Sequence, residues 1–354
     1  MGRKLATIQK IKELNPIPNA DSLELATVLG WKVVVKKGEF QVDDYVIYCE
    51  VDSVLPDKPE FEFLRSKKFR VKTIRLRGQI SQGIVFSIDQ ITNTYPDKFI
   101  HLKEGEDITE LLDITLYAPE IPACLKGLVK GPFPSFIPKT DETRIQVLQE
   151  VLTRHKDTEC YVTEKIDGTS VTYYLKDGVF GVCSRNMELL ESEGNTYWEM
   201  AKKYDIENKL RTLKEGTSEP FSFDGYDYAF QGEIVGNGIQ GNPLKLPDKR
   251  LYIFNVFNIN EYMYENYREF DFICNKLKLD TVPVLYDNFS LVDDIDTLTE
   301  LSKGYSQLNP KCLREGIVIR PIEEKIDLQM SNDFNNGRVS FKAINPEYLI
   351  EVEK

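Results

Sequence analysis

Histidine is scarce in this sequence, and closely spaced cysteines are absent. Its 354 residues include only two histidines, His101 and His155, which leaves little material for zinc catalysis or a Ser-His-Asp triad. The six cysteines, Cys49, Cys124, Cys160, Cys183, Cys274 and Cys312, form no Cys-x-x-Cys pair and read as reduced core residues. Any catalytic metal should therefore be oxygen-bound, Mg or Mn, and held partly through water. No apolar stretch approaches the ~20 residues of a membrane span. The start, Met1-Gly2-Arg3-Lys4-Leu5-Ala6, shows neither a signal-peptide apolar region nor a myristoylation Ser or Thr. The expectation is a soluble, intracellular protein, of cytoplasm or nucleus, with no membrane partner.

Low-complexity tracts and short-period repeats are missing too, and 41% hydrophobic with 29% charged residues is an ordinary globular composition. The length exceeds one usual domain, so two cores are expected. A net charge of −12 speaks against a general nucleic-acid binder, but the charge is unevenly spread. Residues 1–116 hold 17 Lys and Arg against 18 Asp and Glu, so nearly all of the acid excess lies in the second half. Within the first half, Arg65, Lys67, Lys68, Arg70, Lys72, Arg75 and Arg77 put seven positive charges into 13 residues without one acid. Phe69, Val71, Ile74 and Leu76 interleave with them. Such a stripe suits phosphate binding, and a charged edge strand that resists aggregation has the same pattern.

Short strands broken by turns fill the first part: Leu25–Leu29, Trp31–Lys36, Asp44–Val51, Phe69–Leu76 and Gly83–Ile88. Five such strands predict a small barrel of the oligonucleotide-binding (OB) type over residues 1–116, with the basic strand on its binding face. Residues 117–138 read as a Pro-, Gly- and Lys-marked linker. The rest, 139–354, is expected to be α+β. Asp141 suits a helix N-terminus, and Glu188–Leu213 and Tyr264–Lys278 read as helices. Strands are expected at Tyr161–Thr163, Ser170–Lys176, Val179–Ser184, Tyr228–Val235, Leu251–Ile259, Gly316–Pro321 and Val339–Ala343, in antiparallel sheets flanked by helices.

The chemistry-bearing signal is Lys165-Ile166-Asp167-Gly168, which follows a strand-like run. A lysine two residues before Asp-Gly is placed to attack phosphorus while the carboxylate recruits a metal. Ser184-Arg185-Asn186 ends a strand and offers an arginine to a phosphate or ribose. Gln231-Gly232-Glu233 sets a carboxylate beside a glycine, which is expected to let a ligand approach the backbone. Arg314-Glu315-Gly316-Ile317-Val318 repeats that design, and Ser340-Phe341-Lys342 adds a cation on a last strand, with Phe341 facing the other way. Taken singly, each has an ordinary structural explanation; together they converge on phosphoryl transfer.

In that order, these segments resemble motifs I, Ia, III, IV and V of the covalent nucleotidyltransferases, the polynucleotide ligases and mRNA-capping enzymes. Leu251-Tyr252-Ile253-Phe254 resembles motif IIIa, which implies that Phe254 stacks on the purine. The stretches Thr163 to Ser170 and Lys139 to Arg144 look like those around the nucleophile of ATP-dependent RNA ligases that seal 3′-OH/5′-phosphate nicks. An OB-like domain ahead of the transferase is similar to the family-five branch of RNA ligases. The chain stops 12 residues after Lys342, so the C-terminal OB domain of DNA ligases and capping enzymes is not expected.

The resemblance implies that Lys165 takes AMP from ATP, that AMP passes to an RNA 5′-phosphate, and that a 3′-OH then closes the strand. It assigns Arg144, Glu164, Asp167, Gly168, Arg185, Glu233, Phe254, Glu315 and Lys342 to ATP, with Asp167, Glu233 and Glu315 holding Mg or Mn through water. Lys68, Arg70, Lys72, Arg75 and Arg77 are the candidate RNA contacts, the partner being a nicked duplex with an RNA 3′-OH end and the protein a monomer. Two features depart from the pattern. Ser340 stands where motif V often has its first lysine, for which Arg338 is the candidate substitute, and Glu323–Arg338 resembles an insertion. An mRNA guanylyltransferase, a DNA ligase or a non-catalytic RNA-binding protein are the alternatives. The Gly236-Asn237-Gly238-Ile239-Gln240-Gly241 match to a dinucleotide fingerprint is set aside, because Pro243 and Pro247 follow where a helix would have to open.

Overall fold

The computed structural model describes residues 4–18, 20–76, 79–96, 102–117, 128–216, 221–330 and 337–352. His101, Cys124 and Arg77 lie outside these, as does the side chain of Arg75. The chain divides into two compact units, residues 1–120 with 349–354, and residues 121–348.

The first unit carries a five-stranded antiparallel sheet in the order Trp31–Lys36, Leu23–Val28, Ala6–Pro16, Tyr45–Cys49, Ile84–Ser87. Ala6–Lys10 pair with Tyr45–Cys49, whereas Ile11–Pro16 pair with Leu23–Val28, with a register shift between Ile11 and Glu13. One long strand shared between two partners curls the sheet into an OB-like half-barrel. Ala6, Ile8, Ile47 and Cys49 face inward onto Phe61, Leu64, Phe86, Ile91 and Leu112.

The fifth strand differs from expectation. Phe69–Leu76 is not a strand of this sheet; its place is taken by Ala6–Pro16, which no preceding turn announces. A 3-10 helix covers Pro59–Lys67, and Lys68 and Phe69 are both left-handed, at φ 53° and 59°. Two consecutive left-handed residues break an extended run. Only Ile74–Leu76 is extended, paired with Gln79–Ser81.

Two sheets organise the second unit. A seven-stranded antiparallel sheet runs in the order Val129–Pro132, Met187–Leu189, Val179–Ser184, Thr169–Lys176, Tyr228–Val235, Arg250–Asn258, Met263–Tyr264. Its buried face, with Tyr173, Phe230 and Ile253, packs on helices Thr196–Lys203, Ile206–Glu215 and Tyr267–Lys276. The helix expected over Glu188–Leu213 is thus a short strand followed by two helices, the first capped by the Asn195 side chain. The other sheet has the order Thr143–Arg144, Phe341–Ile344, Gly316–Pro321, Glu159–Lys165, Val284–Ser290 and is mixed, because Thr143–Arg144 runs parallel to Phe341–Ile344. Helices Gln149–Arg154 and Ile295–Ser302 cover it over Val162, Ile319 and Phe341. The Val284–Ser290 strand and the Ile295–Ser302 helix are additions to the sequence-based reading, while Gly236–Gly241 is a loop, as expected.

Candidate active site

The Lys-x-Asp-Gly segment is the crossing between the two sheets. Glu159–Lys165 belongs to the five-stranded sheet and Thr169–Lys176 to the seven-stranded one, so Lys165 stands at the edge of the first and Gly168 at the entry to the second. Gly168 is required by close approach, since a Cβ there would lie 2.3 Å from the Ile234 carbonyl oxygen. In the antiparallel register Lys165 faces Gly316, and this brings Glu315 alongside. The Lys165 Nζ donates to both Glu315 carboxylate oxygens at 2.6 Å. Gly316 has no space either, because its Cβ would meet the Ala343 carbonyl oxygen at 2.2 Å.

Glu233 enters from the Tyr228–Val235 strand, and Arg144 lies beside Lys342 in the parallel pair. Phe254, half-buried on Arg250–Asn258, packs with Ile166, Val282, Leu308 and Cys312 into an apolar wall. A planar base fits against such a surface. Gly232 answers to a different constraint from the one expected: its Cβ would lie 2.6 Å from the Tyr252 carbonyl oxygen, so the neighbouring strand, and no ligand, fills that space.

Charge is unbalanced around the lysine. Burial pushes the Lys165 amine down, but Glu315, Glu233 and Asp167 outweigh it and hold the ammonium above its ordinary range. Burial, with Glu315 and Asp167 adding to it against the opposing pull of Lys165, pushes the Glu233 carboxyl up to about 8. Burial is the largest cause and Lys165 and Arg185 do not offset it, so Glu233 keeps a proton near neutral pH. That surplus of carboxylate suits a divalent cation. Among the described residues no three His, Cys, Asp or Glu side chains converge closely enough to chelate an ion directly, so the fit is to an ion held through water.

A segment that the sequence motifs only partly mark runs across the same unit. Gln231 Nε2 donates to the Pro138 carbonyl oxygen at 2.8 Å, Lys139 to Asn186 at 3.2 Å, and the Thr140 and Ser170 hydroxyls are 3.0 Å apart. Asp141 does not cap a helix, since the next helix begins at Gln149 after a 3-10 turn; it accepts from Arg185 instead. Glu142 pairs with the buried Arg320 at 2.9 Å, and Arg320 also donates to Ser340 at 2.9 Å. Arg338 is committed elsewhere, to Glu324, to Asn255 at 3.0 Å and to the Tyr264 ring at 3.7 Å. The cation next to Ser340 is therefore Arg320, from the adjacent strand.

Glu164 falls outside the lysine cluster. Alternation along its strand turns Glu164 away from Lys165, and its buried carboxylate accepts from the Gln307 N–H at 2.8 Å. In the first unit, acids upstream of the stripe neutralise part of it: Arg65 pairs with Asp57 and, within the Pro59–Lys67 3-10 helix, with Glu62 at 2.5 and 2.7 Å, and Arg70 with Asp52 at 2.6 Å. Lys68 is exposed and Lys72 partly exposed. Five cysteines, Cys49, Cys160, Cys183, Cys274 and Cys312, are free and buried, and no described helix is long and apolar enough to cross a membrane.

Comparison with known proteins agrees with this architecture. A family profile described as an OB-fold domain matches residues 5–88, and the RNA ligase profile matches residues 158–344. A comparison with curated protein sequences finds no match. Among solved structures, the Naegleria gruberi RNA ligase with PPi superposes with a TM-score of 0.82 at 34% identity over 98% of both chains. Variants of the Naegleria enzyme with AMP and Mn, and with ATP and Mn, give the same score, identity and coverage. The chain belongs to the RNA ligase family.

Proposed function

We propose that this RNA ligase uses ATP and seals 3′-OH/5′-phosphate RNA ends, at nicks in duplexes, through a lysyl-AMP intermediate on Lys165. The observation that carries this reading is Lys165 at an inter-sheet crossing, held by Glu315 within a group of three carboxylates and beside the Phe254 wall. The ATP and Mn recorded with the Naegleria relative support the nucleotide and the metal. The adenine would stack on Phe254, and Arg144 and Lys342 would contact phosphate oxygens from adjacent strands. Lys165 Nζ attacks the α-phosphorus, its N–P bond forms as the bond to pyrophosphate breaks, and the amine proton leaves. AMP then moves to the RNA 5′-phosphate, and the 3′-OH displaces it. A hydrated Mg or Mn held by Asp167, Glu233 and Glu315 would supply positive charge against the phosphate and favour the neutral amine.

The first unit serves polynucleotide binding in this reading, which its match to OB-fold domains supports. Lys68 and Lys72 are the contacts kept from the basic stripe, whereas Arg70 is committed to Asp52. The test is the mass of the protein after incubation with ATP and Mg or Mn. One AMP should be added through an acid-labile bond that maps to Lys165, and Lys165→Ala should abolish it. Label on another residue, or labelling of the alanine variant, refutes the assignment.

A further inference from the structure

Of the three carboxylates near Lys165, Asp167 is held by a residue that belongs to none of the sequence motifs. The residues after Lys342 form a bracket under the site. The Asn345 backbone N–H donates to the Glu315 carbonyl oxygen at 2.9 Å, and its side-chain amide donates to the Arg314 carbonyl oxygen at 3.1 Å. The Asn345 Oδ1 accepts from the Glu347 N–H at 3.0 Å, which fixes the start of the Pro346–Val352 helix. Asn345 is fully buried, so both sides of this anchor are shielded from water. Three residues on, Tyr348 is only 5% exposed, and its phenol donates to Asp167 Oδ2.

We propose that Tyr348 is a positioning residue for Asp167, setting the carboxylate so that one oxygen is committed to the phenol and the other is left for a hydrated divalent cation. This assignment rests on the adenylation chemistry proposed for Lys165. An O–H donor to a carboxylate makes a strong, directional hydrogen bond. It fixes the side-chain rotamer and withdraws charge from Asp167, so the carboxylate does not swing to the Lys165 ammonium and compete with Glu315. Asn345 supplies the matching constraint on Glu315, because the same short stretch that aims Tyr348 pins the Arg314-Glu315 backbone. Two of the three acids are thereby held at a fixed separation by residues 345–348.

The test uses the full chain and Tyr348→Phe, which keeps the ring and removes only the hydroxyl. Mn binding in the presence of α,β-methylene-ATP is followed by loss of the free-ion EPR signal, and lysyl-AMP formation is followed by mass at graded Mn. Tyr348→Phe should melt like the parent protein yet need ~10-fold or more Mn for half-saturation, with adenylation at limiting Mn slowed ~10- to 100-fold and largely regained at high Mn. In an Asp167→Asn background the phenylalanine substitution should have no further effect on Mn binding, a non-additivity that general loss of packing does not produce. Parental Mn affinity in Tyr348→Phe, or additive losses in the double variant, would overturn the assignment. Should the parent chain take up no AMP, the Lys165 chemistry falls, and Mn binding with its double-variant cycle still decides the role of Tyr348.

Discussion

Lys165 and Glu315 are 150 residues apart in sequence, and the lysine ammonium donates to both oxygens of the glutamate at 2.6 Å. The pair holds Lys165 in its protonated form, so in the proposed reaction nucleotide and metal would have to rearrange it. Glu315→Gln removes the charge that stabilises the ammonium and also a carboxylate assigned to the metal's water shell. Single-turnover labelling with ATP should fall ~10- to 100-fold, with partial recovery in excess Mn. Labelling at the parental rate would remove Glu315 from the chemistry.

The raised Glu233 carboxyl makes a pH prediction with a definite sign. Its value of about 8 exceeds the ordinary 4.5, so between these limits the folded chain binds more protons at this position than the unfolded chain. Stability contributed by this group is therefore present below about 4.5 and lost as pH rises towards 8. Denaturant unfolding of the metal-free protein from pH 5 to 8 should show that decline, and Glu233→Gln should flatten it. Mn binding must displace the same proton, so affinity should increase with pH across the window in the parent and much less in the variant.

Phe254 offers a different signature. Because its ring belongs to the apolar wall and not to the carboxylate cluster, Phe254→Ala should act on nucleotide binding. The KM for ATP in adenylation should rise ~10-fold, as expected for loss of aromatic stacking and its buried area, with kcat changed by less than ~3-fold. A fall in kcat at unchanged KM would contradict base stacking.

In the first unit, Lys68→Ala with Lys72→Ala should slow sealing of a nicked duplex by pre-adenylated enzyme and spare adenylation. The defect should amount to ~10-fold at moderate salt, and the double variant's salt slope should be shallower by about two contacts. Arg70→Ala should instead lower the melting temperature, because it removes the 2.6 Å ion pair with Asp52 and the packing of the guanidinium on the Tyr117 ring at 3.9 Å. Equal losses in adenylation and sealing for the lysine variants would reassign this surface to orienting the transferase.

Sequence by itself determined the RNA ligase family and named most of the residues of the candidate site. Lys165, Asp167, Gly168, Glu233, Glu315 and Lys342 are legible because phosphoryl transfer demands particular side chains at the ends of particular strands, and alternation and turn signals mark those ends. It also determined the α+β class and the OB-like character of the first part, whose strands alternate or sit between glycine turns. Tertiary structure decided which charges remain available. Seven cations in 13 residues look like one basic face until Asp57 and Asp52 fold onto Arg65 and Arg70, pairings that no local pattern reveals; only Glu62, three residues before Arg65 in the same 3-10 helix, is a local partner. The same holds for the cation beside Ser340, where cross-strand pairing selects Arg320 over the nearer-in-sequence Arg338. Tyr348 carries no motif, and only the bracket at Asn345 brings its hydroxyl to Asp167, 181 residues away. Hydrogen-bond partners of buried carboxylates are fixed by sheet register and helix placement, long-range quantities that one-dimensional spacing does not encode.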